Sequence, residues 1–281
     1  MISVIITQLC KVMNGDRMND QEPDTRKSRG KDPRDEVLFG LENQREKLLL
    51  ALSDMHYLLN KDYPPRATLA LVGNRYRLRH RQILAVQGMA CSAKDIERRK
   101  LKEVAADSIQ GKTIYLDGFN IVIILETLLS GGYVFRGLDG CYRDISSVHG
   151  SYKRVRQTED VLITLGNALH ELGTERVIWI FDAPVSNSGR LKTLCYETAK
   201  EQGFSWEVYL DNAPDKYLIA ENRLIASSDA WVLNGCYEWF NLASFIINHV
   251  LDNSGIMNII DHSNKQLLLF MLLIIDIAKG L

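Results

Sequence analysis

Four aspartates punctuate the second half of the chain at strand ends or helix starts. They are Asp117 in "KTIYLDGFNIVI" (112–123), Asp182 in "RVIWIFDAPVSNSG" (176–189), Asp215 in "WEVYLDNAPDKYLIA" (206–220) and Asp229 in "RLIASSDAWVLNG" (223–235). A carboxylate at the end of a buried strand is poorly solvated and needs a partner. Several carboxylates brought together repel unless something compensates, and the usual compensation is a hard divalent cation, Mg2+ or Mn2+. Such an ion acidifies a bound water and neutralises charge on phosphoryl oxygens, the needs of phosphodiester hydrolysis. Each acid taken singly also has a structural role. Asp117 can cap the "DGFN" turn, Asp182 can brace its Ala-Pro loop, Asp215 suits a helix start, and Asp229 suits an N-cap. Their shared placement favours a joint site.

The elements that would position them follow from the apolar pattern. Strands are expected at 113–117, 177–181, 206–210 and 223–227, with a further one near 244–248; helices are expected at 159–172, 189–202 and 214–221. Strand followed by helix, repeated, implies a mostly parallel sheet covered on both faces. In such a sheet ligands bind outside the carboxyl ends of the strands, the rim where Asp117, Asp182 and Asp229 belong. Upstream the texture is helical. "EKLLLALSDMHYLLN" (46–60) carries an amphipathic leucine stripe, residues 66–89 suggest two helices joined near Gly73 and Asn74, and 92–107 suggests a third with Ser92 as N-cap.

In order and style, "YLDGFNIVI", "IFDAPVSNSG", "APDKYLIA" and "IASSDAWVL" resemble the PIN/NYN-like nuclease superfamily over residues 113–250. Within it, "LLNKDYPPRATLALVGNRYRL" (58–78) and "GLDGCYRDISSVHGSYK" (137–153) resemble an archaeal and bacterial family defined only as a domain of unknown function, over most of 46–250. The resemblance implies a PIN-like, Rossmann-like α/β fold preceded by a small all-α module. It also implies an Mg2+ or Mn2+ site held by Asp117, Asp182, Asp215 and Asp229, with Asn120 holding a substrate phosphate or orienting Asp117. Pro214 stands where the superfamily often has alanine; it suits a first helical turn. Residues 131–153 have no counterpart in ordinary members.

Basic residues are concentrated upstream of the acids. Between Arg66 and Lys102 there are ten Lys/Arg against Asp95 and Glu97. In "NRYRLRHRQ" (74–82), Arg75, Arg77, Arg79 and Arg81 are candidates for phosphate contacts and Tyr76 for base stacking. A solvated charged face is the plainer reading. In the Gly-rich stretch 131–154, Asp139, Arg143 and Asp144 could enter the site, and Arg143, His149, Lys153 and Arg154 could meet phosphates; a surface loop with an internal Arg-Asp pair is the alternative. "SNSG" (186–189) could offer backbone amides to a phosphate, or Ser188 could be an ordinary cap.

The 281 residues, 46% hydrophobic and 25% charged, suit a folded protein, and the net charge of −1 by itself predicts no polyanion partner, whereas its distribution, concentrated in the basic stretch, does. Five scattered cysteines without a CxxC pair argue against disulfide and Cys-zinc frameworks. The expected organisation is a disordered lead (1–36), a helical basic module (37–110), the α/β domain (111–262) and an apolar tail (263–281). "QLLLFMLLIIDIA" (266–278) is too short to span a bilayer, no signal peptide is read, and a cytoplasmic location is expected. No Gly-x-Ser-x-Gly elbow surrounds Ser188, and "DGFN" lacks the second aspartate of an aspartyl-phosphate phosphatase. The expected activity is metal-dependent hydrolysis of RNA, single-stranded or structured, with a homo-oligomer left open. The alternatives are a non-catalytic RNA-binding protein and a metal-dependent phosphohydrolase of nucleotides or small phosphates.

Overall fold

The structure, a computed structural model, describes residues 32–146, 152–220, 222–251 and 258–262. The lead expected to be disordered, for residues 1–31, and the apolar tail 263–281 lie outside the described residues, as does His149. The protein is α/β, with a five-stranded, all-parallel Rossmann-like sheet flanked by helices. Its strands are β1 (Thr113–Asp117), β4 (Arg176–Asp182), β5 (Trp206–Asp211), β6 (Leu224–Ala226) and β7 (Glu238–Trp239), in the order β5-β4-β1-β6-β7. A small second sheet, β3-β2-β8, combines Val134–Arg136 (β2), Tyr142–Arg143 (β3) and Ile259–Ile260 (β8).

Alternation within β4 builds both layers at once. Val177, Trp179 and Phe181 enter one core, while Ile178 and Ile180 enter another on the opposite face. The first core is covered by α5 (Gly118–Leu129), α6 (Thr158–Glu171), α7 (Ser188–Gln202) and α10 (Leu242–Ile246). The second is covered by α8 (Pro214–Leu218) and α9 (Ala230–Gly235). The chain leaves β1 toward β4 and β5 and then returns to β6 on the other side of β1, so the topological switch lies between β1 and β6. A crevice is expected outside the carboxyl ends of those two strands.

Helix α5, which sequence reasoning did not delimit, begins directly behind Asp117. Its "IVIILETLL" run shows no amphipathic stripe because the helix is buried on nearly every side. The strand expected near 244–248 is corrected to helix α10, capped by the Asn241 side chain, which accepts from Ser244 N. A short apolar run fits strand or helix equally, and the cap decides.

Upstream, α1 (Glu42–Leu59), α2 (Pro65–Arg75), α3 (His80–Met89) and α4 (Ala93–Lys100) form the helical region. The break between α2 and α3 falls at 76–79, with Arg77 in the left-handed region, and not at Gly73-Asn74. Gly73 is buried where α2 passes Ile83 of α3, so its missing side chain serves close packing. Helix α4 stops well short of residue 107. Lys102 O accepts from Trp239 N and Val104 N donates to Trp239 O, which draws 101–104 to the sheet edge beside β7.

The boundary drawn at 110/111 is crossed by packing. The core of the helical region includes Tyr133, Phe135 and Ile260 beside Leu48, Leu52 and Val86. A buried ion triad adds to this: Asp139, fully buried, pairs with Arg99 of α4 and with Arg143 of β3 at 2.7 Å. Burial would raise the Asp139 carboxyl, but Arg143 and Arg99 outweigh it and hold the group below the ordinary range.

Candidate functional site

All four aspartates sit where the strands end or the next helix begins. Asp117 and Asp182 are the last residues of β1 and β4, Asp229 is the N-cap of α9 just beyond β6, and Asp215 lies in the first turn of α8 behind Pro214. The switch point itself is closed by hydrogen bonds. Ser227 Oγ donates to Asp117 Oδ2 at 2.7 Å and accepts from Asp229 N at 3.0 Å. Asn120 Oδ1 accepts from Ser228 N at 2.7 Å. Asn120 therefore ties the start of α5 to the β6–α9 connection through its oxygen, and its Nδ2, the donor, is the atom that the expected phosphate contact would use.

Asp229 is an N-cap, its Oδ1 accepting from Trp231 N at 2.8 Å and Val232 N at 3.0 Å. Asp117 stands at the N-cap position of α5 without a side-chain capping bond. Among the described residues, none of the four pairs with a lysine or arginine, in contrast to Asp139.

Electrostatics shows that the four share one neighbourhood. Burial raises the Asp117 carboxyl to about 7, Asp229 and Asp215 push the same way, and the Ser227 hydroxyl opposes them. Asp182 is raised by burial and then by Asp215 and Asp211, and Asp215 by burial and then by Asp229. Mutual repulsion without a cationic partner is the environment of a functional carboxylate cluster. The cluster is open. Among the described residues, no three His, Cys, Asp or Glu side chains are drawn close enough to hold a metal by themselves. A four-carboxylate cage, the arrangement expected from sequence, is therefore not preformed.

Two residues were missed. Asp211 ends β5 in register with Asp182 and contributes to its raised pKa. "VYLD" repeats the strand-then-acid pattern of "IYLD" and "WIFD", and that signal could have found it. Trp231 is 53% exposed in the first turn behind Asp229, and an exposed indole has no sequence signature. Gly118 admits the ring of Phe181 so closely that a Cβ there would overlap it, which packs the start of α5 against the end of β4.

The basic candidates divide. Arg75, Arg77 and Arg79 are exposed on the α2–α3 corner, Arg75 in a solvent-exposed pair with Asp54 at 3.2 Å, and Lys153 and Arg154 are exposed as well. Arg143 is corrected from phosphate contact to internal strut: it donates to Ser228 O, Gly88 O and both oxygens of Asp139. Arg81 is engaged by the buried Asp35 at 2.6 Å. Tyr76 is half-buried against the helical core, its hydroxyl donating to Asp54 and the Arg75 guanidinium lying over its ring, so it is corrected from stacking platform to packing residue. Asp139 and Asp144 do not join the acid site; the first is in the triad and the second accepts from Ser146. Ser188 does not cap α7. Asn187, left-handed at φ 69°, holds that position, and Ser188 Oγ donates to Ala183 O.

Fold and site together define a Rossmann-like α/β protein with an acidic rim at its topological switch. The chain belongs to the family of the "Uncharacterized protein MJ0935" of Methanocaldococcus jannaschii, with which it is 32% identical over 183 residues, 65% of this chain and 87% of the relative. Residues 47–102 match the family described as "Protein of unknown function (DUF434)" and residues 106–245 the "Domain of unknown function (DUF5616)". No solved structure matches the chain. No helix among the described residues is long and apolar enough to cross a membrane.

Proposed function

We propose that the rim is a divalent-metal-dependent phosphodiester hydrolase site of the PIN/NYN-like type, acting on RNA. One observation carries the reading: Asp117, Asp182 and Asp215, from separate elements at one rim of the sheet, are raised by burial and further by neighbouring carboxylates, and among the described residues none of them pairs with a lysine or arginine. The donor set is all oxygen, which suits Mg2+ or Mn2+. Mg2+ in particular keeps several waters and takes one or two protein carboxylates plus substrate phosphate, so a closed cage is not required. Asp117 would hold the ion directly with one neighbouring carboxylate, Asp215 or the Asp229 oxygen its cap leaves over, and Asp182 would reach it through the ion's waters. When bound, the ion supplies an acidified water and charge neutralisation at the phosphoryl oxygens. Ser227 keeps the Asp117 carboxylate turned to the β6 side, and Asn120 fixes the α5 start beneath it. Exposed Arg75, Arg77 and Arg79 supply the sequence-independent attraction for an RNA backbone.

A second reading, RNA binding without cleavage, is favoured by the lack of three chelating groups within reach among the described residues. Replacing Asp117 and Asp182 together with Asn separates the two. RNA cleavage in Mg2+ or Mn2+ is expected to vanish while binding persists; cleavage that survives in the purified double variant removes the hydrolase reading. Nucleotides assayed beside RNA oligomers decide between polymer and small-phosphate substrates.

A further inference from the structure

We infer that the cavity between residues 152–154 and the first turns of α7 is a phosphoryl-anion subsite that takes a phosphate of the RNA strand beside the Asp182 strand end. The source of that phosphate rests on the reading of the rim given above. The cavity measures about 390 Å³, within the range of ligand sites. Lys153, Arg154 and Arg190 line it over an apolar floor of Leu191 and Leu194, and no carboxylate is among the lining residues. Gathered cations on a low-dielectric floor attract an anion more strongly than the same charges spread over open surface. The arginine forks match phosphate oxygens.

The walls are held in place. Tyr152 N donates to Ser186 O at 3.0 Å, and Asn187 Nδ2 donates to Tyr152 O at 2.8 Å, which joins the 152–154 segment to the β4–α7 connection. The buried Tyr152 hydroxyl donates to Glu126 of α5, the helix that starts behind Asp117. Arg154 pairs with Glu159, but both are exposed and such a pair is weak enough for a phosphate to replace. Among the described residues Arg190 has no carboxylate partner, and it is exposed. Asn187 follows Asp182 by five residues, a span of at most about 18 Å even if extended. The cavity and the acid rim therefore share one end of the sheet, so a strand with one phosphate in the cavity can present another to the acids.

The test is binding of fluorescent single-stranded RNA oligomers to the full chain in EDTA, where cleavage plays no part. Arg190→Gln and Arg154→Gln, both surface changes whose folding is checked by thermal melts, are each expected to weaken binding about tenfold for all sequences. Each should also flatten the slope of log K against log salt by about 0.7. Lys200→Gln, exposed in the last turn of the same helix, should alter neither. Wild-type affinity and slope in both arginine variants overturns the subsite, as does an equal loss in Lys200→Gln or a wild type that binds no RNA. Weak binding by the arginine variants alongside a wild type that never cleaves in Mn2+ keeps the subsite and removes the hydrolase. Cleavage with unchanged KM in Arg190→Gln removes the subsite alone.

Discussion

Asp117→Asn tests whether the rim carries a frustrated carboxylate or a structural one. Asp117 has its pKa raised from 3.8 to about 7. A group raised on folding contributes stability that is fully present below its unfolded pKa and is lost as pH rises through the folded one. The wild type is therefore expected to lose stability between about pH 4 and pH 7. With those values, linkage gives a loss of about 2.6 kcal/mol between pH 5 and pH 8. Asp117 is part-exposed, and solvent screening brings this down to about 1–2 kcal/mol. Asparagine stays neutral and can still accept from Ser227 Oγ. The advantage of Asp117→Asn over wild type should thus grow by about 1–2 kcal/mol from pH 5 to pH 8 in metal-free urea unfolding. Mg2+ at ten times its Kd should restore about 1.4 kcal/mol to the wild type and less to the variant. A variant destabilised by the same amount at both pH values refutes the reasoning, because Asp117 would then be only a hydrogen-bond partner for Ser227.

Three further outcomes follow from particular contacts. Asp139→Asn leaves the Arg99 and Arg143 guanidiniums buried without their counter-charge and is expected to cost about 3–5 kcal/mol in urea unfolding; a loss below about 1 kcal/mol contradicts the buried triad. Gly118→Ala drives a methyl into the Phe181 ring, so a thermal melt should show about 1–3 kcal/mol of destabilisation, and an unchanged melting point refutes that packing. Trp231→Ala removes an exposed ring, so stability should stay within about 0.5 kcal/mol. Single-strand RNA binding should fall by about 1–3 kcal/mol, and its quenching of indole fluorescence should shrink. RNA affinity equal to wild type rules out stacking at Trp231.

Sequence by itself determined the strands β1, β4, β5 and β6 and the acids that close β1 and β4 or follow β5 and β6 at a helix start, because an apolar run followed by a carboxylate is a local pattern; only Asp211, which ends β5, escaped it. It also determined the α/β class, since strand and helix alternate along the chain. Tertiary structure decided which of the charged residues are free. Arg81, Arg99 and Arg143 belong to the same basic composition as Arg77 and Arg79, yet Asp35 and Asp139, distant in sequence from most of them, bury and neutralise them. The buried helix α5, the two-residue strands and the Trp239 contacts that end α4 were equally invisible, for they depend on neighbours that only folding supplies. Burial and long-range pairing are properties of the assembled chain, so the kinds of chemistry on offer could be listed from residue types, while their availability could not.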